Sequence, residues 1–371
     1  MRWIGFLLNL AVMAALGVAY MAPYLDPRSF WPPAFAGLVF PILVGLQLVF
    51  LVFWLAGRKW VFAGIAAVAL LPALRESAHY LRWPYVSFGK ESSDEEMDSL
   101  AAAQPPSMRI LSWNVRVFNK NAPDVRFSGR DSILALLAGQ QPDVICFQEY
   151  FTMSGTEDND HQKLVREATG LRYFSFWEAL RDKKGRQWGL AIVSRYPVLE
   201  AGEVDFPGGG TLNGCQYADL ETPSGRVRIF NTHLQSIHLS TVDYGLDDAV
   251  SEMREANTRR VTLLKFRDAY QARADQATRL EDAVLDSPWP VVLCGDFNDP
   301  PQSYAYHRVS SGLNDAFSQA GRGLARTHAT LPGVRIDYVL VDTSLSVLRY
   351  WAMPSQLTDH YPIVVEVGLP E

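Results

Sequence analysis

The sequence predicts an α/β domain of mixed strands and helices, carried behind an N-terminal set of apolar helices. Three observations predict this. Residues 1–84 are dominated by long uncharged apolar runs. From Met108 onward, short apolar runs alternate with polar or helical stretches, as in a domain that buries a sheet between layers. A short acidic segment ending in Pro-Pro lies between the two regions. At 371 residues the chain is long enough for a large domain with a second unit attached. The divisions predicted are a membrane region over 1–84, an interfacial and linker segment over 85–107, and a folded domain over 108–371.

Trp3–Tyr24 is 22 residues without a charge, and Ala34–Ala56 is 23. At ~1.5 Å per residue each exceeds the ~30 Å hydrocarbon core of a bilayer. Trp60–Leu74 is a weaker third span, with 15 residues and an internal Pro72. The first run, with Arg2 ahead of it, has the outline of a signal peptide, but it is long for one and no small-x-small site follows. Arg2 precedes the first span, and Arg58 with Lys59 fills the turn before the third. The positive-inside rule puts all three in the cytoplasm. Three crossings then leave the C-terminal domain outside; if Trp60–Leu74 lies on the surface instead, the domain stays inside.

The segment "ESSDEEMDSLAAAQPPS" has five acidic residues and no basic one, the composition of a flexible tether. Residues 1–100 carry seven basic and seven acidic side chains, so the net charge of −6 falls on residues 101–371. A domain so charged has no global basic field for tracking a phosphate backbone. Cys146, Cys215 and Cys294 form neither a CxxC pair nor an even set, which argues against a disulfide framework or a zinc site.

Within the domain, "MRILSWNV" is a strand ending in Asn114. "SILALLAGQQPDVICFQEY" is a helix, a turn and a strand reaching Glu149. "GLAIVSRYPV" is another strand. "QYADLETPSGRVRIFNTHLQS" is a hairpin with His233 at its far end, and residues 243–286 have the spacing of two helices. "VVLCGDFNDP" begins as a buried strand, breaks at Gly295, and delivers Asp296, Asn298 and Asp299 before two prolines forbid continuation. "RIDYVLVD" carries Asp337 within a strand, and "LTDHYPIVVEVG" begins from Asp359 and His360. One polar strand end is a turn. Six strand-linked groups able to bind a metal or move a proton point to a constellation held at one edge of a β core.

The ordered set "SWNV", "CFQEY", "NTHLQS", "GDFND", "RIDYVL" and "TDHYPI", spread over residues 108–369, resembles the endonuclease/exonuclease/phosphatase (DNase I-like) superfamily. Three spans ahead of it resemble a bacterial membrane-anchored group of that superfamily. The resemblance implies a four-layer α/β/β/α sandwich of two packed mixed β-sheets. It implies a Mg²⁺-dependent phosphoesterase (Mn²⁺ being the alternative ion) that cleaves phosphodiesters by attack of water. It assigns Glu149, Asn114 and Asp359 to the metal, and Asp296 to the attacking water. Asn298 is assigned to the phosphate, and His360, charged by Asp337, to a developing anion. His233 stands where relatives place a residue assisting the leaving oxygen. Arg116 departs from abasic-site nucleases, which carry an acid there. Arg195 is open between a phosphate contact and a strand cap, and Asp299 reads as a turn former. The expected substrate is a lipid headgroup, a small phosphodiester or nucleic acid; the anchor and the acidic domain favour the first two. A tethered nuclease is the alternative, and an inactive binding module of the same fold the rival class.

Overall fold

A computed structural model describes residues 2–82, 106–119, 129–206, 212–237, 258–329 and 333–370. Most of the acidic tether and residues 243–257 lie outside the described residues. Within them, the stretch expected to form two helices holds a single one of 28 residues, Thr258–Leu285.

Two six-stranded mixed sheets form the domain. The first contains β2 (Ser107–Asn114), β3 (Val144–Thr152), β4 (Tyr173–Arg181), β5 (Gln187–Ser194), β13 (Ser346–Ala352) and β14 (Ile363–Gly368), in the order β13-β14-β2-β3-β5-β4. The second contains β6 (Val198–Val204), β7 (Gly214–Thr222), β8 (Gly225–His233), β9 (Val291–Asp296), β10 (Leu313–Asp315) and β12 (Asp337–Asp342), in the order β10-β12-β9-β8-β7-β6. Each sheet has one parallel pair, β2 with β3 and β8 with β9. A parallel pair needs a crossover. The first is made by α5 (Arg130–Gln140), and the second contains α7 (Thr258–Leu285).

The pleat decides which side chains meet. Ile110, Cys146, Ile229, Val292, Cys294, Val339 and Ile363 are fully buried between the sheets. Residues of the opposite parity face outward. Leu111, Trp113, Ile145 and Phe147 pack under α5 and α6 (His161–Thr169). Phe230, Leu293 and Leu340 pack under α7 and α8 (Tyr304–Val309). The result is four layers, α/β/β/α. A polar rung crosses the core near one end: Gln148 Nε2 donates to Asn231 Oδ1 at 2.7 Å, and Asn231 Nδ2 donates to the Phe147 and Ala191 carbonyls.

The N-terminal helices are α1 (Arg2–Met21), α2 (Pro32–Leu38), α3 (Phe40–Ala56) and α4 (Trp60–Glu76). Trp3–Tyr24 and Trp60–His79, of 22 and 20 residues, are each long and apolar enough to cross a membrane. The stretch expected to be the clean second span is instead two helices bent by 67°. Pro41 enters the first turn of α3, where its missing N–H costs nothing, but its ring prevents the preceding helix from running through. Conversely the weakest run of the sequence is extended to His79 at its C-terminal end. Asn9 and Gln47 share a buried amide hydrogen bond of 2.9 Å, and Trp54 Nε1 donates to Asn9 Oδ1, the kind of polar contact that ties helices together in an apolar setting. Leu7, Leu8, Val49, Val52, Val68 and Leu71 face outward.

The helices dock on the domain. Arg28 pairs with Asp275 at 2.8 Å, and Phe35 packs against the Phe266 and Tyr270 rings of α7. Beyond α4, His79 Nδ1 lies 3.0 Å from the Tyr306 hydroxyl and 2.9 Å from Ser318 Oγ. Beneath it, buried Arg335 holds Asp315 with both nitrogens, at 2.8 and 2.5 Å, and donates to the His79 carbonyl. Burial pushes the Asp315 carboxyl up, but Arg335, His79 and Tyr306 outweigh it and hold it well below the usual carboxylate range. The short β1 (Leu81–Arg82) pairs with β11 (Gly323–Leu324), adding a backbone seam to this contact.

Candidate active site

The site is the polar end of the inter-sheet core. Asn114 follows Ile110 and Ser112 on one parity, His233 follows Ile229 and Asn231, and Asp296 follows Val292 and Cys294. Asp337 precedes Val339 and Val341 in the same way. Register aligns these ends across the second sheet: His233 and Asp337 are both paired with Asp296. Asn114 reaches across from the first sheet, and its Nδ2 lies 3.1 Å from both Asp296 Oδ2 and Glu149 Oε1.

Strict alternation would turn Glu149 toward the outer helices. Register between β3 and β5 slips between Phe147 and Tyr150, and Glu149 adopts φ 48°, so a bulge aims its carboxylate at Asn114. A positive φ is uncommon for a residue with a Cβ, and its place at the site is where such strain tends to be kept. Burial raises the Glu149 carboxyl and Asp359 adds to it, while His233 and Asn114 pull it down. His233 Nε2 lies 3.6 Å from Asp296 Oδ2 and 4.0 Å from Glu149 Oε1.

His360 sits among carboxylates. Its Nδ1 lies 3.0 and 3.1 Å from the two oxygens of Asp337, and its Nε2 lies 3.7 Å from Asp296 Oδ2. Burial works against the imidazolium, yet Asp337 and Asp296 outweigh it and raise the His360 pKa well above the usual histidine value. Burial pushes the Asp337 carboxyl up, to about 6. With three carboxylates around one ring, the proton belongs on His360. Thr358 accepts the His360 amide, and Thr327 accepts the amides of Ile336 and Asp337, so short side chains hold both backbones.

His328, which sequence reasoning passed over, stands edge-on to His360 with ring centroids 5.0 Å apart and pairs with it as an isolated β-bridge. Burial lowers its pKa to about 4. Nothing in "RTHATLPGVRID" separates it from an ordinary loop histidine, because its placement depends on strands far apart in the chain. Asp296, Asp337 and His360 have ligand atoms close enough to share an ion, as do His328, Asp359 and His360. Both groups need His360, and a protonated imidazole has no lone pair to give a metal.

The oxygen donors fit a hard divalent cation better. Glu149, Asp296, Asp337 and Asp359 crowd one end of the core, against Arg116 at 3.5 Å from Asp359 and the charged His360. Asp359 Oδ1 is buried without a hydrogen-bond partner. An oxygen-rich end of the core with an orphaned acceptor suits such an ion. Asn298, at φ 52°, donates its amide N–H to Asp296 Oδ1 at 2.9 Å and its side-chain N–H to the Leu234 carbonyl.

One sequence reading changes, and one left open is closed. Asp299 is buried and pairs with Arg273 at 3.1 Å, so it is more than a turn former, and burial raises its carboxyl to about 6. Arg195 pairs with Asp143, one residue ahead of β3, at the opposite end of the sheet from the site. The remaining candidates converge.

Known proteins share this architecture. The endonuclease/exonuclease/phosphatase family model matches residues 111–360, and a model of a domain of unknown function matches residues 2–77. Human nocturnin is 23% identical over 235 residues, covering 56% of this chain and 47% of that protein. The chain thus spans about half the length of the curated relatives it matches. An endonuclease/exonuclease/phosphatase from Beutenbergia cavernae superposes with a TM-score of 0.52 at 21% identity, covering 71% of this chain and 72% of that one. One from Bacteroides vulgatus gives 0.52 at 17% identity, covering 71% of this chain and all of that one. The solved structures share the fold, and the match across most of the domain carries the assignment: the chain belongs to the endonuclease/exonuclease/phosphatase family.

Proposed function

We propose that the protein is a membrane-anchored, Mg²⁺-dependent phosphoesterase that hydrolyses phosphodiester bonds. The observation carrying this reading is the meeting of Asn114, Glu149, His233, Asp296 and His360 within hydrogen-bond or ion-pair reach of one another. Glu149, Asn114 and Asp359 would hold the ion, with Mn²⁺ a workable substitute. When bound there, it supplies charge for the phosphoryl oxygens and aids attack by water. Asp296 orients and deprotonates that water, its carboxylate fixed by Asn114 on one oxygen and the Asn298 amide on the other. Asn298 has a second side-chain N–H for the phosphate. His360, kept charged by Asp337, donates to the developing anion. His233 assists the leaving oxygen from beside Asp296.

A panel of phosphodiesters and phosphomonoesters, including lipid and nucleic acid substrates, tests this with the full chain in nanodiscs and Mg²⁺. Asp296→Ala is expected to lower the rate on the hydrolysed substrate about 10³-fold, the scale of a lost general base. Hydrolysis of none of them, or a loss under tenfold in the variant, would overturn the reading.

The domain side is proposed to be extracytoplasmic. Arg58 and Lys59 turn the chain at the end of α3 and α4 remote from the domain contacts of Ala19 and His79. This supports an odd number of crossings, with α2 and α3 together counted as one. Alkaline phosphatase fused after Pro106 should be active, and a fluorescent protein that matures in the cytoplasm should stay dark there. The reverse pair of results would place the domain inside.

A further inference from the structure

The segment after Asp296 runs from the site directly to the N-terminal helices. Pro300 and Pro301 restrict its backbone, and buried Gln302 ends it. Three parts of the N-terminal region, α1, α2 and the turn at Tyr80, grip Gln302. Its backbone N–H donates to the Tyr80 hydroxyl at 3.0 Å. Its side-chain amide donates to the Ala19 carbonyl of α1 at 3.1 Å. Its own carbonyl presses on α2 at Gly37, where a Cβ would stand 2.2 Å from that oxygen. A second line reaches the same segment from the other side. Phe35 of α2 packs on Tyr270, Arg273 lies 4.7 Å over the Tyr270 ring, and Arg273 pairs with Asp299.

We infer that α2 braces the 296–303 segment, making Gly37 and Gln302 positioning residues for Asp296 and Asn298. The N-terminal helices are then part of the working enzyme and more than an anchor. This inference rests on the proposed roles of Asp296 and Asn298. It also gives the broken second span a reason: the chain leaves the helix axis at Val39 because α2 is seated on the domain.

Gly37→Ala in the full chain, in nanodiscs, is the test. Helix propensity favours alanine over glycine, so any loss runs against propensity and reports the clash. A displacement of about 1 Å at reacting groups costs up to ~10²-fold. The expected result is a roughly tenfold lower kcat with KM within about twofold. Hydrogen exchange should quicken at the Asn298 and Gln302 amides while Val292–Cys294 stay protected. Gly45→Ala, in α3 where a Cβ meets nothing within 4 Å, should match the parent in both readouts. Gln302→Leu, which deletes the donor to Ala19, should show the same two effects more weakly. Parent-like kcat and exchange in both Gly37→Ala and Gln302→Leu would overturn the brace. If Gly37→Ala exposes β9 as well, the fold has been lost and Gln302→Leu decides. If the parent hydrolyses no phosphoester, the proposed function fails, while the exchange measurement still tests the brace.

Discussion

Glu149→Gln is expected to lower activity by roughly two to three orders of magnitude, with partial recovery as Mg²⁺ is raised far above the parent's requirement. The substitution preserves shape and keeps an oxygen for Asn114 Nδ2, so the bulge and the 3.1 Å contact have no reason to rearrange. What disappears is one buried negative charge. Burial and Asp359 already raise the Glu149 carboxyl. Protons therefore compete with a divalent ion at this oxygen at higher pH than at an exposed glutamate. The parent's Mg²⁺ requirement should accordingly rise as pH falls, and the variant, lacking the titrating group, should lose that part of the dependence. Titrating activity against Mg²⁺ at several pH values checks both statements. A Glu149→Gln protein working near normally with chelator present would exclude this role.

The second large effect is expected at Asp337 and His360. Removal of His360 should cost about 10²–10⁴-fold in kcat, the range for a lost acid or electrostatic donor. Asp337→Ala should cost most of the same, because the 3.0 Å contact both orients the ring and keeps its proton. The double alanine variant should then be hardly worse than the worse single one. Losses that add in log rate would show independent action. The sign of the pH response follows from the raised His360 pKa. A proton held more tightly in the folded state stabilises the fold fully below the unfolded pKa, and that stabilisation fades as pH rises through the folded pKa. Activity needing the same proton should persist through neutrality and fail on the basic side. In Asp337→Asn the basic limb should move down toward the ordinary histidine range.

Most of the site was readable because strand ends in this chain are marked. In the run ending at Asp296, Gly295 and Pro300 bracket Asp296, Asn298 and Asp299. Glu149 was found by motif, but its direction was not, since a one-residue bulge depends on pairing with β5. His328 and the Arg273–Asp299 pair were hidden for a related reason: each is defined by a partner tens of residues away. Hydropathy also hid a bend in one span and the full length of another. Composition made residues 34–56 the stronger candidate over 60–74, yet Pro41 and the seating of Phe35 on α7 break the former, while the latter gains a further turn through His79.

The parity shared by Asn114, His233, Asp296 and Asp337 with the inter-sheet core acts as a reading frame. Pleat period is two, so inserting or deleting one residue inside β2, β8, β9 or β12 would exchange the faces of everything beyond it. Such a change would bring an outer-face apolar residue into the site and send a carboxylate, amide or imidazole under a helix. Loops joining the strands carry no such frame and, outside the braced 296–303 segment, tolerate changes in length more readily. In this architecture the proposed catalytic set is therefore tied to strand register, and novelty in what is bound enters through the connections around it.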